Sequence, residues 1–192
     1  MKKIPTLFER EYKDHKVVGI KPTLSSPDLQ WVLDGEGEAT LKIDGSCCAV
    51  IDGLFYRRYD AKRGKTPPEN AIPCSDPDPV TGHWPHWVPA PASDNDHASK
   101  WYVAALQDYI LNDGLPEDGT YEAVGPHFQG NPYKLETDTL VKHGLVVLDV
   151  ERSFDGIRNY LQQHEIEGIV FWKDGEPQCK IKRSDFGFQW PV

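Results

Sequence analysis

Cysteine is scarce in this chain: of 192 residues four are cysteines, Cys47 and Cys48 side by side and Cys74 and Cys179 scattered. Neighbours are poorly placed to bridge one another and no C-x-x-C pair is present. The pattern therefore excludes a disulfide framework and a cysteine-built metal site, and reduced thiols are expected. Long apolar runs are missing too. No segment approaches the ~20 apolar residues that cross a bilayer, and the opening MKKIPTLFER carries two lysines without the apolar run of a signal peptide. The expectation is a cytoplasmic protein with no membrane partner. Positive charge is the third shortage. With 21 Lys and Arg against 30 Asp and Glu the net charge is −9, which excludes a protein that grips nucleic acid by bulk basicity. Any affinity for phosphate must be local, and two stretches qualify: RRYDAKRGK at 57–65 and KIKR at 180–183. Either reads equally well as a solvated face. There is no internal repeat, and the length suits one domain over 1–192 with an ample core.

What is present is a set of strand and turn signals. Residues 38–59 read as paired strands, EATLKID, SCCAVI and LFYRRY. An Asp52-Gly53 turn of type I′ joins the last two and sets Arg58 across from Cys47. Within this region LKIDGS puts a lysine and an aspartate two residues apart with a glycine behind them. On a strand, Lys42 and Asp44 project to one face, and Gly45 permits a bend or a close approach. A charged pair at a pocket wall has this pattern, and so does a surface ion pair beside a turn.

From 64 to 98 the composition changes, with eight prolines and the run GHWPHWVP, which reads as an irregular insertion. His83 and His86 lack a well-spaced third metal ligand. The Trp and His rings here serve either to pin the loop or to stack on a base. A helix is expected next, capped near Asp94 to Asp96, carrying Trp101, Ala105, Leu106, Tyr109 and Ile110 toward the core and ending at Gly114. Then follow a strand at 120–124, the irregular GPHFQGNPY, a hydrophobic strand at 145–150, and a short helix near 155–164. That helix has Ile157, Tyr160, Leu161 and a structural His164 on one face.

The run EGIVFWKDGEPQCKIK reads as two apolar strands around an Asp174-Gly175 turn. A two-residue turn pairs Lys173 with Glu176, Ile169 with Lys180 and Glu167 with Lys182. One carboxylate and two lysines then share a face, and the two ammonium groups crowd unless an anion comes between them. Pro177 is the weak point of that register, and a cross-strand pair on a solvated face is the other reading.

Taken in order, Lys42 in K-x-D-G, Arg63 in KRG, Glu122 in Y-E-x-x-G, Glu167 in E-G-I-V and the K-x-K of Lys180 and Lys182 resemble the covalent nucleotidyltransferase superfamily of ATP-dependent polynucleotide ligases and mRNA capping enzymes. The likeness spans about 38 to 183. TYEAVGPHFQG is similar to the corresponding stretch of phage-type and editing-type RNA ligases, and the small size and TGHWPHWVP to the compact single-domain 5′–3′ RNA ligases. The resemblance implies an α+β fold of two antiparallel β-sheets with flanking helices. Only 184–192 follow KIKR, so no appended oligonucleotide-binding domain is expected, and capping is not expected either.

It also implies an activity: ATP-dependent joining of RNA 5′-phosphate and 3′-hydroxyl ends, in RNA repair, by a monomer. The alternatives are a DNA nick-sealing ligase or an inactive nucleotide- or RNA-binding relative. By the same resemblance Lys42 takes AMP as a phosphoramidate, with its pKa lowered by Lys180, Lys182 and a nearby cation. Asp44 and Glu167 suit a water-rich Mg²⁺ or Mn²⁺, and Arg63, Lys180 and Lys182 neutralise phosphate charge. Glu122 accepts from the ribose hydroxyls, and Leu41 and Ile43 offer backbone groups to adenine. Val147 stands where relatives commonly place an aromatic against the base. Arg58, Lys62, Trp84 and Trp87 are the candidates for contact with RNA. The two cysteines after Ser46 read as core-facing strand residues.

Overall fold

The computed structural model describes residues 3–14, 16–93 and 95–192. In chain order the strands are β1 (Phe8–Lys13), β2 (Lys16–Leu24), β3 (Glu38–Lys42), β4 (Ser46–Ile51), β5 (Leu54–Ala61), β6 (Ile72–Pro73), β7 (Trp84–Pro89), β8 (Gly119–Val124), β9 (Thr139–Lys142), β10 (Gly168–Lys173) and β11 (Glu176–Lys182). The helices are α1 (Gln30–Leu33), α2 (Lys100–Asp113) and α3 (Phe154–Gln163). This is an α+β chain. It carries three antiparallel sheets rather than two, because residues 8–24 form a separate hairpin, β1-β2. Two compact units divide the residues, Asp44–His143 in one and Lys3–Ile43 with Gly144–Val192 in the other.

The unit Asp44–His143 holds the six-stranded sheet, ordered β6-β7-β5-β4-β8-β9. At the Asp52-Gly53 turn both residues have positive φ, +51° and +72°, as a type I′ turn requires. Cys48 pairs with Arg57 and Ile51 with Leu54, in the register the turn dictates. β7 corrects the reading of 64–98 as irregular throughout. Its prolines survive in a strand because residues 85, 87 and 89 turn their backbone groups away from β5, toward β6, which is only two residues long. Helix α2 lays Tyr102, Ala105, Leu106 and Tyr109 on the sheet beside Cys48, Val50 and Tyr121, the i, i+3, i+4, i+7 stripe of an amphipathic helix. Trp101 and Ile110, expected in that stripe, fall outside it at 38% and 37% exposure. Gly114, with φ +88°, ends the helix. Asp96 stands before it, its carboxylate accepting from Ser99 Oγ and the Ala92 N–H. Asp94 lies outside the described residues.

The other unit holds the three-stranded sheet β11-β10-β3 and the β1-β2 hairpin. β3 therefore pairs with β10 and not with β4, which corrects the expectation of a hairpin across LKIDGS. β3 ends at Lys42, so strand alternation does not carry Asp44 onto the face of Lys42. Residues 146–148 extend the sheet beyond β3: the Leu41 N–H donates to Val146 C=O, the Leu148 N–H to Ala39 C=O, and Thr40 bridges Val147. That contact is the part of the expected strand at 145–150 that forms. The Asp174-Gly175 turn again has positive φ at both residues, and Lys173 pairs with Glu176 and Trp172 with Pro177. The register then slips by one, so Val170 faces Lys180 and Gly168 faces Lys182, in place of Ile169 facing Lys180 and Glu167 facing Lys182. Gln178 is the extra residue of this bulge, next to the proline that cannot donate to the ladder. Leu41, Ile169, Ile181 and Phe171 form the inner face, and Ile169, Ile181 and Phe171 pack with Leu7, Phe8, Ile157 and Leu161 of α3 in one apolar core. Ser153 caps α3 by accepting from the Gly156 N–H.

Candidate active site

The outer face of the three-stranded sheet follows from this register. Gly168 pairs with Lys42 on one side and with Lys182 on the other, and one step along the sheet Val147, Thr40, Val170 and Lys180 stand in a second row. Paired residues share a face, so three lysines rise from one surface with a glycine between two of them. A Cβ at Gly168 would come within 2.2 Å of the Ile181 carbonyl oxygen, a distance no side chain tolerates.

Glu167, one residue ahead of β10, answers this charge. Its carboxylate is 5% exposed and accepts from Lys42 Nζ at 2.5 Å through Oε2 and from Lys182 Nζ at 2.9 Å through Oε1. Lys180 makes no ion pair among the described residues. Burial, reinforced by repulsion from Lys42, Lys182 and Arg10, brings its pKa down from 10.5 to about 8. The like-charge crowding read from the K-x-K strand is present despite the shifted register. Val147 sits on this face at 59% exposure, an aliphatic side chain open to a flat ring. The Leu41 N–H is taken by the Val146 carbonyl, and Ile43 is buried.

Beside the lysines stands a feature that sequence reading missed. Arg10 on β1 donates through Nε and Nη2 to the buried Asp185, just after KIKR. Only the alternation of FEREYK hinted at it.

Asp44, Arg63 and Glu122 belong to the other unit. The Asp44 N–H donates to Tyr133 Oη at 2.7 Å, and Gln129 Nε2 reaches Ser46 Oγ, so GPHFQGNPY wraps the end of LKIDGS. Gly45 is required because a Cβ there would lie 2.4 Å from the Ala123 carbonyl oxygen. Glu122 lies mid-strand on β8. Its Oε1 is 3.4 Å from His143 Nε2, whereas its Oε2 is buried with no hydrogen-bond partner, a carboxylate oxygen set to accept from a donor not supplied by the described residues. His127 is stacked on Trp101 at 3.3 Å between centroids and tied to Asp138.

Cys47 and Cys48 flank this strand in the sheet, and burial pushes the Cys47 thiol up to about 12, consistent with residues that do no chemistry. Arg63 is exposed, its Nη2 on the Val80 carbonyl and its stem beside Gly82. Arg58 pairs with Asp60, and Lys62 is exposed. Trp87 is buried against Ala49 and Tyr56, and Trp84 donates its indole N–H to the Ser75 carbonyl at 2.7 Å. Both rings are held against the fold, the first of the two roles left open for them, and Trp87 is only 6% exposed. His86 is buried beside Trp84, and no group of three or more His, Cys, Asp and Glu among the described residues is arranged to hold a metal. No helix among them is long and apolar enough to cross a membrane.

No family model matches the chain. It is similar to the protein named RNA ligase 1 of Danio rerio, 29% identical over 157 residues, which takes in 65% of this chain and 46% of that protein. The chain therefore spans less than half the length of this relative.

Proposed function

We propose that the chain is an ATP-dependent RNA ligase, acting in RNA repair, that joins 5′-phosphate to 3′-hydroxyl ends through AMP carried on Lys42. The observation that carries the reading is the Lys42–Glu167 ion pair set on a face with two further lysines, one of which, Lys180, makes no ion pair among the described residues. The similarity to a protein named RNA ligase 1 supports the substrate class.

In this reading Glu167 Oε2, 2.5 Å away, takes the proton from Lys42 Nζ and frees its lone pair. The amine attacks the α-phosphorus of ATP; the N–P bond forms, the bond to the bridging oxygen breaks, and pyrophosphate leaves with the electron pair. Lys180 and Lys182 meet the charge that develops on the phosphate oxygens, and an anion lying against Lys180 raises its pKa again. An oxygen of the RNA 5′-phosphate then attacks the AMP phosphorus, the N–P bond breaks, and Lys42 recovers its proton. Finally the 3′-hydroxyl attacks the activated 5′-phosphate and AMP departs. Glu122 accepts from ribose hydroxyls through its unpartnered Oε2. A water-rich Mg²⁺ would draw on one or two carboxylates and phosphate oxygens rather than on an all-protein cage, and Asp44, or Glu167 while ionised, would be such a donor. When bound, it or Mn²⁺ would offset phosphate charge.

The test is incubation with ATP labelled at the α-phosphate, followed by denaturing electrophoresis. Label that withstands denaturation and alkali but is released by acid, as an N–P bond is, should appear on the protein and be absent from Lys42→Ala. Equal labelling of that variant overturns the assignment, label from GTP alone reopens capping chemistry, and nicked DNA sealed as fast as RNA moves the substrate class.

A further inference from the structure

The β1-β2 hairpin is attached to the edge of β11 by a short parallel contact. The Leu7 N–H donates to Lys180 C=O, the Lys180 N–H donates to Pro5 C=O, and Thr6 bridges Lys180. Where the two meet there is an open groove of about 420 Å³, lined by Lys3, Arg10, Lys180 and Lys182 with Tyr12 and Ser25. Four cationic side chains line it and, among the described residues, no carboxylate does, in a chain whose net charge is −9. The volume is roughly fourteen times the ~30 Å³ share of one water, large enough for more than a lone phosphate. Tyr12 stands at this groove 65% exposed.

We propose that this groove binds the phosphodiester backbone of a single polynucleotide strand, with Tyr12 as a platform for one of its bases. Successive cations two residues apart on a strand are spaced by roughly 6.6 Å, so Lys180 and Lys182 meet a chain that repeats its charge along its length better than a compact ion. An exposed aromatic beside a basic track is the sequence-tolerant way to hold an unpaired base. Arg10 is anchored by Asp185 and Lys182 by Glu167, so both heads are held in place before a strand arrives. The groove begins at the very lysines assigned to the phosphates of ATP and leads away from them along β1, which makes it a track for the strand that receives AMP. The choice of RNA as that strand rests on the ligase reading; the recognition of a strand backbone does not.

The test uses the full chain without ATP. Binding of a fluorescent 5′-phosphorylated single-stranded RNA is followed by anisotropy across a salt series, and binding of ATP by calorimetry on the same proteins. Lys3→Glu and Tyr12→Ala should each weaken RNA binding about fivefold or more, Lys3→Glu should flatten the salt slope by about one, and Lys3→Arg should restore it. ATP affinity should move less than about twofold, the range of a distant screened charge. RNA affinity unchanged in a protein carrying both Lys3→Glu and Tyr12→Ala overturns the proposal, as does a wild-type protein that fails to bind RNA at low salt. Loss of ATP affinity, alone or together with RNA, assigns the groove to nucleotide phosphates and overturns it equally. Failure of Lys42 to take label would sink the ligase reading and leave this binding result standing.

Discussion

Lys42 Nζ lies 2.5 Å from Glu167 Oε2, so the amine proposed to attack phosphorus and the group proposed to take its proton are already in contact. Glu167→Gln keeps the shape and removes the base. Self-adenylylation should fall about 10²-fold or more, the range of general base catalysis. The carboxylate also balances two lysines, and removing one partner of a buried pair costs ~3–5 kcal/mol. Here the lysines are partly exposed, and the loss should be nearer ~1–2 kcal/mol. Label uptake and thermal melting of the same protein separate the two effects; a rate within tenfold of wild type argues against the proton-transfer role.

Lys180 gives the site a pH signature. Its folded pKa, about 8, is below its ordinary 10.5, so between those values the unfolded chain holds more protons than the folded one. Stability gained from this group therefore rises as pH climbs from 8 toward 10.5, and below 8 the buried ammonium costs its full amount. Lys180→Met should be the more stable protein at pH 7, by on the order of 1–2 kcal/mol given partial solvent access. That advantage should shrink to nothing by pH 10.5, as read from denaturant midpoints across the range. A gap independent of pH would assign the difference to packing.

Glu122 has one carboxylate oxygen buried without a partner. If a ribose hydroxyl donates to it, Glu122→Ala should raise the KM for ATP about 10- to 100-fold, the worth of a hydrogen bond to a charged group. Melting temperature should hold or rise, since an unsatisfied buried acceptor is removed. A fall in stability with KM unchanged would make it a structural partner of His143.

The two tryptophans of β7 should part company. Trp87→Ala empties a buried position against Ala49 and Tyr56 and should cost ~3–5 kcal/mol. Trp84→Phe removes one hydrogen bond, to Ser75, and should cost ~1 kcal/mol. Urea denaturation checks both, and equal small effects would return these rings to the base-stacking role left open by the sequence.

Local chemistry decides how much of this could be read ahead. The Asp52-Gly53 register was legible because a type I′ turn leaves the pairing no freedom. The Asp174-Gly175 hairpin began in the expected register and slipped at the bulge beyond Pro177, a change that no pattern in CKIK reports. Even so, Glu167 still reaches Lys182, because a long ammonium side chain spans a one-residue slip. β7 was hidden by its prolines, and β1-β2 by exposure, since most of β2 faces water and leaves no apolar alternation. The groove at Lys3, Arg10 and Lys180 was illegible for a different reason: its cations come from opposite ends of the chain.

That last fact bears on synthesis. Lys42 is made early, but the carboxylate it pairs with comes 125 residues later, and Lys182 later still. At ~5–20 residues per second a ribosome takes roughly 6–25 s to cover that interval. On the ligase reading, a nascent chain displays the lysine proposed to carry AMP long before the carboxylate proposed to deprotonate it, and should take no label until its final sheet closes.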